Sequence, residues 1–415
     1  MALDPYSVLT LLIVLTAVFS YINFRYIHLP STIGIMLVSL VFSLVVISLG
    51  KFFPLLIQHP TAIVSSIDFE RLLMRIMLSF LLFAGAIHIN IDLLKKETIP
   101  IMVFSTLGVL FSTFLVGSAI YFIFPLFGQQ ISYIYCLVFG ALISPTDPIA
   151  VLGILKDAKV PASIEIKIAG ESLFNDGVGV VVFTILLEIA LFGDGNITFL
   201  HVSRLFLQEA IGGIIWGITI GYIGFYLLRS IDHYQVEVMI TIAMVMGGYL
   251  FAQIFHISGP LAMVVAGIII GNKGRSKAMS DTTRDYISKF WELIDEMLNA
   301  LLFLLIGLEM IVISFNLESF WIGCISIVVV LGSRYVSIFL PMIILSFRRS
   351  FERSLLPLLT WGGIRGGISV ALALSLPRGN FRDEVVAITY MIVVFSILVQ
   401  GLTIKKLARK LADKK

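Results

Sequence analysis

About thirteen apolar runs follow one another along the chain, joined by short polar connections. They lie at approximately residues 7–26, 30–50, 68–91, 98–127, 133–155, 162–190, 203–229, 235–257, 259–272, 285–312, 317–346, 354–377 and 383–404, the ninth being short. A helix needs about 20 mostly apolar residues to cross the hydrocarbon core of a bilayer. In lipid every backbone N–H and C=O must be satisfied inside the protein, so such runs fold as helices. The sequence therefore predicts an all-α polytopic membrane protein with about 13 transmembrane helices. Only 13% of the residues are charged, against roughly 25% in soluble domains. The longest non-apolar stretches, 51–67 and 273–284, are loop-sized, so residues 1–415 read as a single membrane unit. No Lys or Arg precedes the first run and no small-residue cleavage site follows it, so Ser7–Tyr26 is expected to remain as the first span. Cys136 and Cys324 both fall in apolar runs, which suits buried thiols and fits neither a disulfide framework nor zinc-ligand spacing. The net charge of +3 is too small to point to a nucleic-acid partner.

The cations are placed unevenly. Nineteen of the 29 Lys and Arg residues fall on the side that holds the odd-numbered loops and the C-terminus, among them Arg25, Lys95, Lys96, Lys156, Lys159, Lys273 and Lys405. Only Lys51, Arg71, Arg75, Arg204, Arg378 and Arg382 fall on the other side. By the positive-inside rule the richer side is cytoplasmic. This places the N-terminus outside and the C-terminus inside, and requires an odd number of spans. The segment 405–415 reads as a short basic cytoplasmic tail that anchors on anionic lipid, with a regulatory role as the alternative.

Charged side chains near the bilayer centre cost about 2.5–3.5 kcal/mol on insertion scales, so each needs a partner, a water-filled cavity or a task. They gather in three segments. In span five, Asp147 is bracketed by Pro145 and Pro148. Two prolines three residues apart are expected to unwind the helix, which is tolerated at membrane depth only inside protein or along a cavity. The freed Thr146 carbonyl and the Asp147 carboxylate would then face a small cation; a plain structural kink is the alternative. In span six, Glu171 and Asn175 share one helix stripe, and Ser172 and Asp176 the next. Acidic and neutral oxygens without His or Cys suit a hard monovalent cation better than a transition metal. A purely structural polar knot is the alternative there.

In span twelve, Arg365 stands between the pairs Gly362-Gly363 and Gly366-Gly367. Four glycines, each weakening a helix by about 1 kcal/mol relative to Ala, predict a second interruption. The buried Arg365 needs an anion, and Glu171 is the candidate, the two forming a structural ion pair. Spans five and twelve are an odd number of spans apart, so they run in opposite directions. Paired interrupted helices of opposite direction point to a transporter built from inverted repeats, with its site where the two cross.

Weaker candidates lie elsewhere. Glu292, Asp295, Glu296 and Asn299, at the cytoplasmic end of span ten, could form an acidic funnel that draws in cations. Equally they could be interfacial charges paired with Lys289. Arg334 lies deep in span eleven with no partner legible. His88 at the end of span three reads more simply as a packing residue than as a proton sensor.

Together these segments resemble the NhaP/NHE branch of the monovalent cation:proton antiporters, and the resemblance covers essentially the whole chain. Gly170-Glu-Ser-Leu-Phe-Asn-Asp-Gly177 is similar to the family's Asn-Asp segment. Ser144-Pro-Thr-Asp-Pro148 and Gly362-Gly-Ile-Arg-Gly-Gly367 resemble its unwound helix and its arginine helix. The resemblance implies that Asp176 is the ion- and proton-binding carboxylate, and that Asp147, Ser172 and the Thr146 carbonyl complete the monovalent-cation site. It implies that Asn175 supports the unwound helix, and that Glu171 and Arg365 pair. It also implies electroneutral one-for-one exchange, a homodimer, and a location in a prokaryotic cytoplasmic membrane. The transport helices would then be 98–190 and 317–404, and the dimer or scaffold helices 7–91 and 203–312. One departure stands out: many relatives carry an acidic residue in a segment resembling Phe83-Ala-Gly-Ala86, where this chain has Ala84.

The mechanism expected from this reading is competition between Na⁺ (or Li⁺) and H⁺ for Asp176. If only loaded forms change the side they face, the two ions must exchange. The protein would be a secondary active transporter and not an enzyme, with no cofactor. K⁺/H⁺ exchange is the live alternative. A cation channel would conduct without proton coupling, and a neutral-solute carrier would want an apolar pocket in place of clustered carboxylates.

Overall fold

A computed structural model describes residues 5–53, 60–61, 63–64, 69–147, 160–192, 199–275, 278–313, 316–347, 351–352 and 354–412. Among these residues the regular structure is helical throughout. We label the principal helices α1 (Pro5–Ile22), α2 (Ser31–Phe52), α3 (Leu78–Ile87), α4 (Ile91–Ile123), α5 (Tyr133–Ile143), α6 (Ala162–Phe192), α7 (Phe199–Arg229) and α8 (Tyr234–Ile254). The series continues with α9 (Gly259–Ile269), α10 (Asp281–Glu309), α11 (Leu317–Ser346), α12 (Leu355–Trp361), α13 (Gly367–Leu374), α14 (Asn380–Phe395) and α15 (Gly401–Ala412).

Eight stretches among the described residues are long and apolar enough to cross a membrane: Tyr6–Ile27, Ser31–Phe52, Ile91–Phe127, Ala162–Leu191, Ser203–Arg229, Tyr234–Ile254, Leu317–Ser346 and Phe381–Leu411. The other five expected runs carry helix of a different kind. Those at α3, α5 and α9 are shorter apolar helices. α10 is long but studded with charge in its first half, and α12 and α13 are two short pieces of one interrupted run. Large apolar side chains such as Met239, Leu293 and Val328 point outward, as lipid-facing residues do. Exposed Tyr26, Tyr121 and Trp321 lie near helix ends, the interfacial place of such rings.

Local sequence sets several helix starts. Asn90 accepts from the N–H groups of Asp92 and Leu93 and so opens α4 at Ile91, seven residues before the expected start. That cap draws Lys95, Lys96 and Glu97 into the helix. Ser258 caps α9 at Leu261 with Pro260 in its first turn, Ser280 caps α10 at Thr283, and Asn316 caps α11 at Ser319.

The helices pack in two main sets. α4, α5, α6, α11, α13 and α14 pack on one another around Val109, Phe139, Val182, Ile322, Leu372 and Ile388. α3, α7, α8, α9 and α10 pack around Phe83, Met244, Met263 and Trp291. α1 and α2 join the second set through α10: Ser43 Oγ donates to the Gly307 carbonyl at 2.8 Å. Small residues bring backbones close, as where a Cβ on Gly217 of α7 would stand 2.5 Å from the Ala262 carbonyl of α9. The two sets meet where α6 touches α3, α7 and α9, where α10 touches α13, and in a further buried cluster that holds Met36 of α2 and Leu304 of α10 together with Phe104 of α4, Ile168 of α6 and Val393 of α14.

Helix stops at both of the expected interruptions, and beyond the one in span five the chain is described only as far as Asp147. α5 stops at Ile143 and residues 145–147 are non-helical. α12 stops at Trp361, and helix resumes only at Gly367. The breaks touch, because the Asp147 N–H donates to the Ile364 carbonyl at 2.7 Å. Pro148 of the expected span five, and Lys156 and Lys159 of the loop after it, lie outside the described residues.

Candidate functional site

The site is built on α6. Glu171, Ser172, Asn175 and Asp176 occupy little more than one helical turn, and all four are buried. Asn175 uses its whole amide. Its Nδ2 donates to Thr146 Oγ1 and to Glu171 Oε1, each at 2.7 Å, and its Oδ1 accepts from the Thr146 N–H at 3.2 Å. Thr146 Oγ1 lies 2.9 Å from Ser172 Oγ. The non-helical stretch after α5 is thus laced to α6 through one threonine, in place of the helical bonds that Pro145 interrupts.

The expected ion pair needs a correction. Glu171 does not take Arg365 as its partner; it takes Arg334 of α11. Arg334 Nη1 and Nη2 reach Glu171 Oε1 and Oε2 at 2.8 Å each, a bidentate fork with both side chains almost fully buried. Arg334 Nε also donates to the Leu359 carbonyl at 3.3 Å, near the end of α12. Arg365 serves the break. Its Nη1 donates to the Pro145 carbonyl at 3.0 Å and to the Ser144 carbonyl. The physical reason is one of supply and demand. The end of α5 leaves carbonyls without helical donors, and the guanidinium rising from the facing break fills that need. The planar carboxylate of Glu171 is matched by the planar fork of an arginine on a neighbouring intact helix.

Asp147 and Asp176 line one cavity of about 1190 Å³, together with Pro145, Thr146, Gly366 and Gly367. Asp147 shares this cavity with Asp176, and Glu171 lies five residues before Asp176 on α6. Ala84 of α3 lies on the same wall, fully buried, and offers a methyl where an acid would offer oxygens. The four polar residues of α10 also reach the cavity: Glu292, Asp295, Glu296 and Asn299 all line it. Asn299 Nδ2 donates to Asp295 Oδ1 at 3.1 Å and to the Asp295 carbonyl at 2.8 Å. Lys289 pairs within its own helix with Asp285, at 2.7 Å on the exposed surface. His28, Asn90, Glu165 and Lys405 mark the cavity's other reaches.

The structure therefore brings Asp147, Thr146, Ser172, Asn175 and Asp176 into one cluster and connects it to the α10 residues. It separates Glu171 from the role expected of its partner Arg365. Lys167 of α6 is also paired, its Nζ lying 2.8 Å from Glu97 Oε1 of α4. The only signal for Arg334 was its depth in an apolar run, and nothing in its spacing points to α6.

Comparison with known proteins agrees with this architecture. The family described as "Sodium/hydrogen exchanger, transmembrane" matches residues 13–410. The Na(+)/H(+) antiporter NhaP of Pseudomonas aeruginosa is 50% identical over 408 residues, covering 96% of this chain and 95% of that protein. The Na(+)/H(+) antiporter NhaH of Halobacillus dabanensis is 35% identical over 392 residues, covering 92% of each. The structure of the sodium proton antiporter MjNhaP1 from Methanocaldococcus jannaschii at pH 8 superposes with a TM-score of 0.77 over 98% of both chains at 19% identity, a likeness of fold. Buried carboxylates where the end of α5 meets the break between α12 and α13, and a family match that spans nearly the whole sequence, lead to one assignment: the chain is an integral, multi-pass membrane protein of the NhaP/NHE-type sodium/hydrogen exchanger family.

Proposed function

We propose that this protein is a secondary active antiporter that exchanges Na⁺ or Li⁺ for H⁺, one for one, by competition of the two ions for Asp176. The observation that carries this reading is the division of labour among the buried charges. Glu171 and Arg334 are committed to each other, and Arg365 holds the carbonyls of the α5 break. Asp147 and Asp176 both line the cavity. Three carboxylates against two guanidiniums leave the cluster one negative charge in excess, which one monovalent cation or one proton offsets. An empty cluster would carry its charge through a low-dielectric seam, at a cost that disfavours the move. The loaded forms are neutral and free of that cost, so coupling and electroneutrality share one cause.

Thr146, Ser172 and Asp147 would supply the remaining oxygens around the cation, while Asn175 positions Thr146. The helices 98–190 and 317–404 would move as a transport domain against a scaffold of 7–91 and 203–312, a division supported by the two packing sets. The interrupted helices would be the crossing pair of inverted repeats within a thirteen-span layout. Orientation follows from charge, with the N-terminus outside and the C-terminus in the cytoplasm. On that orientation the cavity, with His28, Asn90 and Lys405 at its reaches, faces inward. Glu292, Asp295 and Glu296 would gather cations at its entrance. Relatives named Na(+)/H(+) antiporters support Na⁺ as cargo. K⁺ is the second reading, favoured by Ala84, because a wall with fewer oxygens suits a cation that gives up its hydration more easily. Assembly as a homodimer belongs to the same proposal.

The test uses proteoliposomes with an internal pH dye and an imposed proton gradient, with and without a potassium/valinomycin clamp. Wild type should dissipate the gradient on addition of Na⁺ or Li⁺, indifferent to the clamp, and Asp176→Asn should not. Exchange retained in a folded Asp176→Asn protein would overturn the assignment, and strong dependence on the clamp would overturn electroneutrality.

A further inference from the structure

Ser369 lies in the first turn of α13, three residues after Gly366. It is 1% exposed, and its Oγ has no hydrogen-bond partner among the described residues. Several buried serines in these helices return their hydroxyl to a backbone carbonyl three or four residues earlier, as Ser79 does to Ile76 and Ser337 to Arg334. Ser369 cannot, because the residues that precede it form the break. A buried hydroxyl left without a partner is destabilising. It also lines the cavity that Asp147 and Asp176 share. The distance between the walls is short: a Cβ on Gly366 would stand 2.5 Å from Asp147 Oδ2. The Asp147 carboxylate therefore lies against the start of the helix whose first turn carries Ser369.

We infer that Ser369 is a further cation ligand, its hydroxyl supplying an oxygen from the second interrupted helix to a monovalent cation held at Asp147 and Asp176. The inference rests on the antiport reading and extends it. The oxygens proposed so far come from α6 and the α5 break, and Ser369 would close the site from the α13 side. Cation binding would then give the Ser369 hydroxyl a partner that the described side chains and backbone do not supply. Other buried serines lacking a partner, Ser326 on α11 and Ser112 on α4, do not line the cavity, so they serve as controls for the effect of hydroxyl removal alone.

The experiment compares full-length wild type, Ser369→Ala, Ser369→Thr and Ser326→Ala in proteoliposomes. It reads the half-saturating Na⁺ and Li⁺ concentrations, the maximal exchange rate, and the thermal midpoint in detergent with and without Na⁺. Ser369→Ala should raise the half-saturating concentration about three- to tenfold, the loss of one oxygen contact, with the maximal rate kept. Its cation-free midpoint should match or exceed that of wild type, because an unpaired polar group has been removed, while the rise in midpoint on adding Na⁺ should shrink. Ser369→Thr should stay close to wild type in half-saturation. A wild-type half-saturation and Na⁺ response in Ser369→Ala would overturn the inference, as would an equal loss in Ser326→Ala. If wild type exchanges none of Na⁺, Li⁺ or K⁺, the antiport reading falls. The Na⁺ shift of the midpoint, which needs no transport, then decides the Ser369 inference by itself.

Discussion

Glu171 and Arg334 carry the largest single energetic stake in the site. Both are withdrawn from water, and each satisfies the other with two parallel bonds of 2.8 Å. Such a pair contributes little beyond what an apolar pair would, yet removing one partner leaves the other charge uncompensated, at about 3–5 kcal/mol. Arg334→Gln and Glu171→Gln should each lower the unfolding midpoint of the detergent-solubilised protein sharply, and the double replacement should recover part of the loss. A double-mutant cycle should give a strong coupling for Glu171 with Arg334 and a weaker one for Glu171 with Arg365. The reverse ranking would restore the pairing expected from sequence. That expectation failed for a definite reason. Depth in an apolar run shows that an arginine needs a partner, but not which one, and two arginines competed for a single carboxylate 163 residues from the true partner. The cluster Glu171, Ser172, Asn175 and Asp176 was legible because one helix presents it at helical spacing. The link from Asn175 to Thr146 joins positions 29 residues apart; spacing does not show it, and only the family resemblance, in which Asn175 supports the unwound helix, pointed to it.

At the level of elements, the two interruptions were readable from Pro145 and from the paired glycines around Arg365, because both residue types act on the backbone locally. What they do for each other was not. The breaks are joined by the Asp147–Ile364 bond and by Arg365 on the Ser144 and Pro145 carbonyls. Gly366 holds this junction tight. Its backbone, at φ −124° and ψ −158°, is extended and open to any residue, so the requirement is for space. A methyl there would meet Asp147 Oδ2 at 2.5 Å and displace the carboxylate. Gly366→Ala should therefore cut exchange by about tenfold or more, the scale of loss that misplacing a reacting group by an ångström brings, while the protein still inserts and folds. Exchange at the wild-type rate would show that Asp147 need not be held there. The start of α4 shows the other limit of reading by hydropathy, since an Asn90 cap carried the helix back through Lys95 and Lys96, residues that an apolar count places in a loop.

On the scale of the whole molecule, the number and order of apolar runs gave the all-helical architecture directly, whereas the grouping of helices into two sets depends on contacts between residues far apart in sequence. The proposed orientation makes a prediction of its own. With Cys136 and Cys324 replaced, a cysteine introduced at Arg409 in α15 should react with a membrane-impermeant thiol reagent only from the cytoplasmic side. Labelling from outside would invert the topology and turn the cavity outward. The central claim is that one carboxylate, Asp176, serves Na⁺ and H⁺ in turn, and the most direct test is the half-saturating Na⁺ concentration measured as a function of pH in proteoliposomes. Competition predicts that, on the acid side, this concentration rises about tenfold per unit fall in pH, the slope of one proton displaced by one cation, with the maximal rate unchanged. A half-saturating concentration that stays constant while the maximal rate falls would mean that proton and cation bind at separate sites, and would contradict the account.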